Sequence, residues 1–225
     1  MLALLRVVNI SDAERGDILA LNYDEGAELL GALGAIEAVG EAGFSSLERI
    51  WHRPTLELTG VAGGYAGAGI KTVIPARAVA KLAARLVPDQ RPAEVLAAVE
   101  AHLLAHHPAA CNLTVRELGF KSAPFTGRRD GPGVAAAARV LERVLGAAPL
   151  FERGGATIPA MAALQGALGA EVVVFGFALP GDTVHAPDER YELSQYRVAR
   201  EAYVRLLHEL GGARAGGAEA QHAEL

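Results

Sequence analysis

The stretch Val172-Val-Val-Phe-Gly-Phe177 limits what this chain can fold into more than any other. It is a continuous apolar run, too short to span a bilayer. It is rich in β-branched and aromatic residues, so the sequence predicts a strand buried on both faces. Pro180 and Gly181 end the strand and open a loop, and a long helical pattern begins near Ser194. Strand, loop and helix in that order place ligands outside the carboxyl end of a sheet. The loop holds one imidazole, His185, with Asp182, Asp188 and Glu189 near it in sequence. It is the first place to look for chemistry.

A strand of that kind needs neighbours, and the surrounding sequence offers few. Val134 to Leu145 reads as a helix stopped by Gly146, and Thr157 as the cap of a helix running through Met161 and Leu164 to Gly169. Tyr196, Val198, Tyr203, Leu206, Leu207 and Leu210 form the stripe of a last helix. After Gly211 the tail is low in complexity and reads as disordered. Residues 119–212 thus predict only part of a layered α/β domain, followed by a disordered tail over 213–225.

The front of the chain has a different rhythm. Residues 1–52 read as a helical lead-in, with Ser11-Asp-Ala-Glu14 matching a capping box. Asp24 can cap a glycine-weakened helix, and Ser45 or Ser46 can cap Leu47 to Trp51. From Pro54 the period becomes two. Thr55-Leu-Glu-Leu-Thr59 predicts a strand with Leu56 and Leu58 inward, Val79 to Val87 a second, and Asn112 to Glu117 a third. A glycine-rich loop separates the first two, and a helix with Val95, Leu96, Val99 and Leu103 on one stripe precedes the third. Residues 53–118 therefore predict most of a ferredoxin-like split βαβ unit. The fold class is α/β, an α+β lid of ferredoxin-like type joined to an incomplete α/β half.

Composition narrows the function. A net charge of −5 over 225 residues offers no excess of cations to meet phosphates, which argues against nucleic acid as partner. No run of some 18 apolar residues exists, and the amino terminus is a poor signal peptide, so no membrane partner is expected and the cytoplasm is the default. The single Cys111 excludes an intrachain disulfide framework and a cysteine-based zinc site; it reads as a small buried residue. Ile70 separates Gly69 from Lys71, so the glycine loop is no nucleotide cradle. His106-His107 reads as a solvated helix end, and His52, His102, His208 and His222 show no metal spacing. A loop imidazole is ordinarily a surface residue, an arginine on a strand's polar face is ordinarily solvated or salt-bridged, and Thr72 could be a strand-edge hydroxyl.

Several segments in order carry a resemblance. They are Leu47-Glu-Arg-Ile-Trp-His-Arg-Pro-Thr-Leu56, Gly63-Gly-Tyr-Ala-Gly-Ala-Gly-Ile-Lys-Thr-Val-Ile-Pro75 and Ala84-Arg-Leu-Val-Pro-Asp-Gln90. Arg153-Gly-Gly-Ala-Thr-Ile-Pro159 and Gly181-Asp-Thr-Val-His-Ala-Pro-Asp-Glu189 complete the series. Together, over roughly residues 45–210, they resemble the di-zinc metallopeptidases of the aminoacylase, carboxypeptidase G and carnosinase type, in the dipeptidase and deacylase branch. The resemblance implies an α/β catalytic domain holding two zinc ions and an inserted lid that mediates a homodimer. It implies that His185 is a metal ligand, and that Thr72 and Arg85 hold the substrate carboxylate or the oxyanion, often across the dimer. It places Thr157 near the substrate carboxylate. The implied substrates are dipeptides or N-acyl amino acids.

The family's His-x-Asp motif, its adjacent Glu-Glu pair and the lid's Asp-Leu-His-Ser-Gly stretch are missing from this sequence. A histidine expected after the third lid strand is replaced around Gly119-Phe-Lys-Ser122. The expectation is therefore the rear half of such an enzyme, truncated or split, active only when a front-half chain completes it. The alternative is a non-catalytic dimerisation or interaction module of the same descent.

Overall fold

A computed structural model of the chain describes residues 7–119, 121–155 and 158–222, with side chains to Gly212 apart from Pro180. It divides into two compact units. The first comprises residues 1–125 and 152–162, the second residues 126–151 and 163–225. Helices and one small antiparallel sheet make a mixed α/β chain.

In the first unit, helix α1 (Asp12–Ala20) starts at the expected capping box. Ser11 Oγ accepts from the Glu14 amide and the Glu14 carboxylate accepts from the Ser11 amide. Asp24 caps Glu25–Gly31, which winds as a π-helix. A second capping box, Ser45 with Glu48, opens helix α2 (Ser46–His52). Strands β1 (Thr55–Gly63) and β2 (Ala78–Arg85) pair antiparallel from Thr55 opposite Arg85 to Gly63 opposite Ala78. A bulge between Leu58 and Gly60 interrupts their register, and Thr59 Oγ1 there donates to the Lys81 carbonyl at 3.3 Å. Pro92 occupies the first turn of helix α3 (Pro92–His106), whose Val95 is buried.

Three expectations for this unit are corrected. β1 runs on into the glycines to Gly63, and Leu56 and Leu58 are exposed rather than inward. The predicted third strand, 112–117, pairs with no strand among the described residues, whose sheet has two strands. Every residue of β2 is exposed; with no apolar layer over the sheet, no buried face exists to select the register of a further strand. Cys111, expected to be buried, is exposed.

In the second unit, α4 (Pro132–Leu145) and α6 (Leu193–His222) pack together through Ala136, Ala137, Val140, Ala202 and Leu206. The alanines let the helix axes approach, and Val140 has no exposed surface. Arg139 and Arg143 of α4 both reach Glu209 of α6, at 2.8 and 2.9 Å. Hydrogen bonds from Arg139 and then Arg143 lower the titration of that carboxyl. Helix α5 (Pro159–Leu168) begins in the first unit and ends in the second. α6 continues through His222 where the tail was expected to leave the helix after Gly211. Alanine, arginine, glutamate and glutamine there favour helix, and the glycines weaken it without stopping it.

The run 172–177 lies on this helix pair. Val173, Phe175 and Phe177 pack on the α4–α6 core, whereas Val174 is 64% exposed. The strand expected to be buried on both faces is covered on one, because among the described residues no other strand pairs with it. Glu171, just before the run, accepts from the Gly133 and Val134 amides at 2.8 and 3.2 Å and so caps α4. The approach is close enough that a Cβ at Gly133 would sit 2.8 Å from Val173 and 2.9 Å from the Glu171 carboxylate. Gly133→Ala is therefore expected to lose about 1–3 kcal/mol of unfolding free energy. Gly166→Ala in α5, where a Cβ meets nothing within 4 Å, is expected to be neutral or stabilising by up to about 1 kcal/mol. Denaturant midpoints of the two variants make the comparison.

Candidate functional site

In the second unit the candidate residue His185 sits on the loop between the run 172–177 and α6. The loop is tied at its root. Asp182, 2% exposed, accepts from the Leu179 amide at 2.7 Å, and its own carbonyl accepts from the Arg190 amide at 3.0 Å. Thr183 Oγ1 donates to the Asp188 carbonyl at 3.1 Å. Thr183, His185 and Asp188 all adopt positive φ, 51°, 63° and 62°. Three non-glycine residues in the left-handed region within one short loop are uncommon and costly, and persist only where surrounding contacts hold them. The His185 side chain is exposed, as are Asp188 and Glu189.

Hydrolytic zinc needs about three protein ligands and a base. Among the described residues, no three histidine, cysteine, aspartate or glutamate side chains gather where they could hold a metal ion. One exposed imidazole does not fit a zinc site, and no catalytic step is assigned through a metal in this chain.

Thr72 and Arg85 lie in the first unit. Arg85 is the last residue of β2, opposite Thr55, exposed and without an ion-pair partner among the described residues. Its planar fork is thereby left for a carboxylate or oxyanion. Thr72 is exposed in the long connection between the strands. Its neighbours Lys71 and Val73 line a shallow hollow of about 440 Å³ with Gly64, Tyr65 and Arg77. Lys71 Nζ stands 5.7 Å from the centre of the Tyr65 ring. Thr157 lies outside the described residues.

The structure also joins two of the sequence motifs. Gly155, at φ 54°, passes so close to α2 that a Cβ would meet the Ile50 carbonyl oxygen at 2.8 Å and Trp51 at 3.1 Å, which explains the glycine at that position. Beside it runs a charged cluster that residue spacing alone did not reveal. Arg153 pairs with Glu14, and Arg15 with Glu48 at 2.6 Å, around the buried His52. Burial pushes Glu14 up, but hydrogen bonds from Ser11 and the Arg153 guanidinium outweigh it and hold the carboxyl below its ordinary value. Burial, then Arg153, lowers the titration of His52, with Arg15 adding to this and Glu14 and Glu48 opposing it.

The comparisons with known proteins agree with the motifs. Residues 6–111 match the peptidase dimerisation domain of the M20 peptidases. The Cys-Gly metallodipeptidase dug1 of Schizosaccharomyces pombe is 27% identical over 190 residues, which are 81% of this chain and 39% of that protein. The beta-Ala-His dipeptidase of Homo sapiens is 29% identical over 152 residues, 67% of this chain and 30% of that protein. Among solved structures, an M20-family metallo-carboxypeptidase of Sulfolobus solfataricus superposes with a TM-score of 0.77 at 29% identity. That likeness covers 89% of this chain and 45% of that one. The chain is similar to M20 metallopeptidases along most of its length. Human carnosine dipeptidase 1 is similar in the same way, with a TM-score of 0.72 at 25% identity over 90% of this chain and 43% of that one. The chain spans under half the length of each of these relatives. No helix among its described residues is long and apolar enough to cross a membrane.

The lowered titration of His52 has a consequence for stability. The unfolded chain takes up its proton first, near the ordinary imidazole value of about 6.5. Stability contributed by neutral His52 is therefore present above that pH and is lost as pH falls toward the lower folded value. Urea midpoints measured from pH 7.5 down to 5 are expected to fall, and His52→Gln is expected to flatten that slope.

Proposed function

We propose that this chain supplies the substrate-binding lid and the rear portion of a metal-dependent amidohydrolase acting on dipeptides or N-acyl amino acids. The general base and the remaining metal donors come from a front-half chain. The reading is supported above all by one combination: likeness to M20 metallopeptidases that runs through both units, beside a donor set that among the described residues is too small for a metal site of its own. The relatives' names, Cys-Gly metallodipeptidase and beta-Ala-His dipeptidase, favour a short peptide with a free carboxylate.

In this reading residues 53–118 are the lid and 119–212 the rear of the catalytic domain, with 1–52 belonging to the lid side. Arg85 binds the substrate carboxylate or the developing oxyanion through its guanidinium, and Thr72 and Thr157 donate hydroxyl hydrogen bonds nearby. His185 contributes one imidazole to zinc, held in place by the strained loop that Asp182 anchors. Two chains associate through the lid as a homodimer, and the assembly works in the cytoplasm. Zinc would supply the polarisation of the amide carbonyl and of water when the full donor set is present.

A second reading, a non-catalytic dimerisation module, is favoured by the exposure of every residue of β2. Activity separates the two. The purified chain with added zinc or manganese is expected to show no turnover of dipeptides or N-acyl amino acids. Co-expression with a front-half chain bearing His-x-Asp and Glu-Glu is expected to restore turnover, and Arg85→Ala to reduce the restored rate by up to about a thousandfold. Turnover by the isolated chain that disappears in His185→Ala would contradict the reading. No recovery on co-expression, with a stable metal-free dimer, would favour the module.

A further inference from the structure

We propose that His102 and His106, one turn apart on the exposed surface near the carboxyl end of α3, form a two-imidazole chelate for a borderline divalent cation such as Zn²⁺ or Ni²⁺. The site is separate from the His185 loop. Spacing by four residues puts two side chains on one face of a helix, so the expectation that His102 shows no metal spacing is corrected on α3. Both histidines are exposed, and their ring centroids lie 4.1 Å apart with the planes 30° from parallel. Two imidazoles therefore already share one patch of surface.

The chemistry of the rings suits an ion. His106 Nδ1 lies 2.7 Å from the His102 carbonyl oxygen. A carbonyl can only accept, so the Nδ1–H donates and the Nε2 lone pair is left for a metal, the tautomer that ligating histidines use. A tetrahedral ion at about 2.0–2.1 Å from each nitrogen holds two donors roughly 3.4 Å apart, which the two exposed side chains reach by rotating about their own χ angles. Imidazole selects zinc, nickel or copper over magnesium or calcium. No third donor side chain joins the pair among the described residues, so the remaining coordination positions belong to water and the ion exchanges freely.

His107 stands one residue beyond. It is the C-cap of α3, and its Nδ1 is held 2.8 Å from the Leu104 carbonyl oxygen. It lies five residues from His102, off the face the pair shares. Such an ion clips the last turn of α3 and binds only where that turn is helical, so it stabilises the folded chain by mass action.

The test is a calorimetric titration of Ni²⁺ into the untagged 225-residue chain, followed by melting curves with and without the ion. One ion per chain, proton release on binding and a raised melting temperature are expected. His102→Ala and His106→Ala should each weaken binding on the order of 10²-fold, as expected when a chelate becomes a single ligand. His107→Ala and His185→Ala should leave it unchanged. All four side chains are exposed, and far-ultraviolet circular dichroism checks that each variant keeps its helix. Binding that survives loss of His102 or His106, binding that disappears in His107→Ala or His185→Ala, or no binding by the parent chain would each overturn the assignment.

Discussion

The rear unit depends on an apolar segment, 172–177, that has only one covered face. Val173, Phe175 and Phe177 lie on the α4–α6 pair, and burying side chains of this size is worth about 1.5–3 kcal/mol each as an upper bound. Polar contacts fix the segment's place on the helices. Glu171 caps α4 at one end, and Tyr203 Oη donates to the Phe175 carbonyl at 2.5 Å while its ring meets Phe175 edge-on. The His185 loop hangs between this segment and α6, so its position is inherited from that packing. Val174 and the remaining backbone of 172–177 are left for neighbours.

Much of the local structure is legible in the residues alone. The capping boxes at Ser11 and Ser45, the bounds of α4 and its glycine stop at Gly146, and the start of α6 follow from local chemistry acting within a few residues. What the sequence cannot carry is the presence of a neighbour. Val172–Phe177 has the composition of a central strand, and 112–117 alternates as a strand should. Yet pairing and burial are properties of two segments, and here the second segment is missing from the described residues. The same holds for Leu56 and Leu58, whose inward reading assumed a layer over the sheet.

The candidate site divides along a similar line. His185, Arg85 and Thr72 were legible as motif residues, and each is exposed where a ligand could reach it. The left-handed turns at Thr183, His185 and Asp188, and the anchoring role of the buried Asp182, belong to tertiary structure and left no signal in spacing. The Glu14–Arg153 and Arg15–Glu48 pairs around His52 join residues up to 139 positions apart, so no local pattern announces them. In the proposed reading, each unit holds positions that would orient a substrate or supply one metal ligand. The chemistry that would use them needs groups this sequence lacks.

The account rests on 172–177 being a sheet strand without its partners. Hydrogen exchange of the isolated chain, resolved by residue and repeated with a front-half chain, tests this most directly. The account predicts fast exchange of the Val172–Phe177 amides beside protected amides in α4 and α6, with protection of the strand appearing only in the mixture. Slow exchange across 172–177 in the isolated chain would contradict it, since those amides would then already be paired in a sheet of the chain's own making.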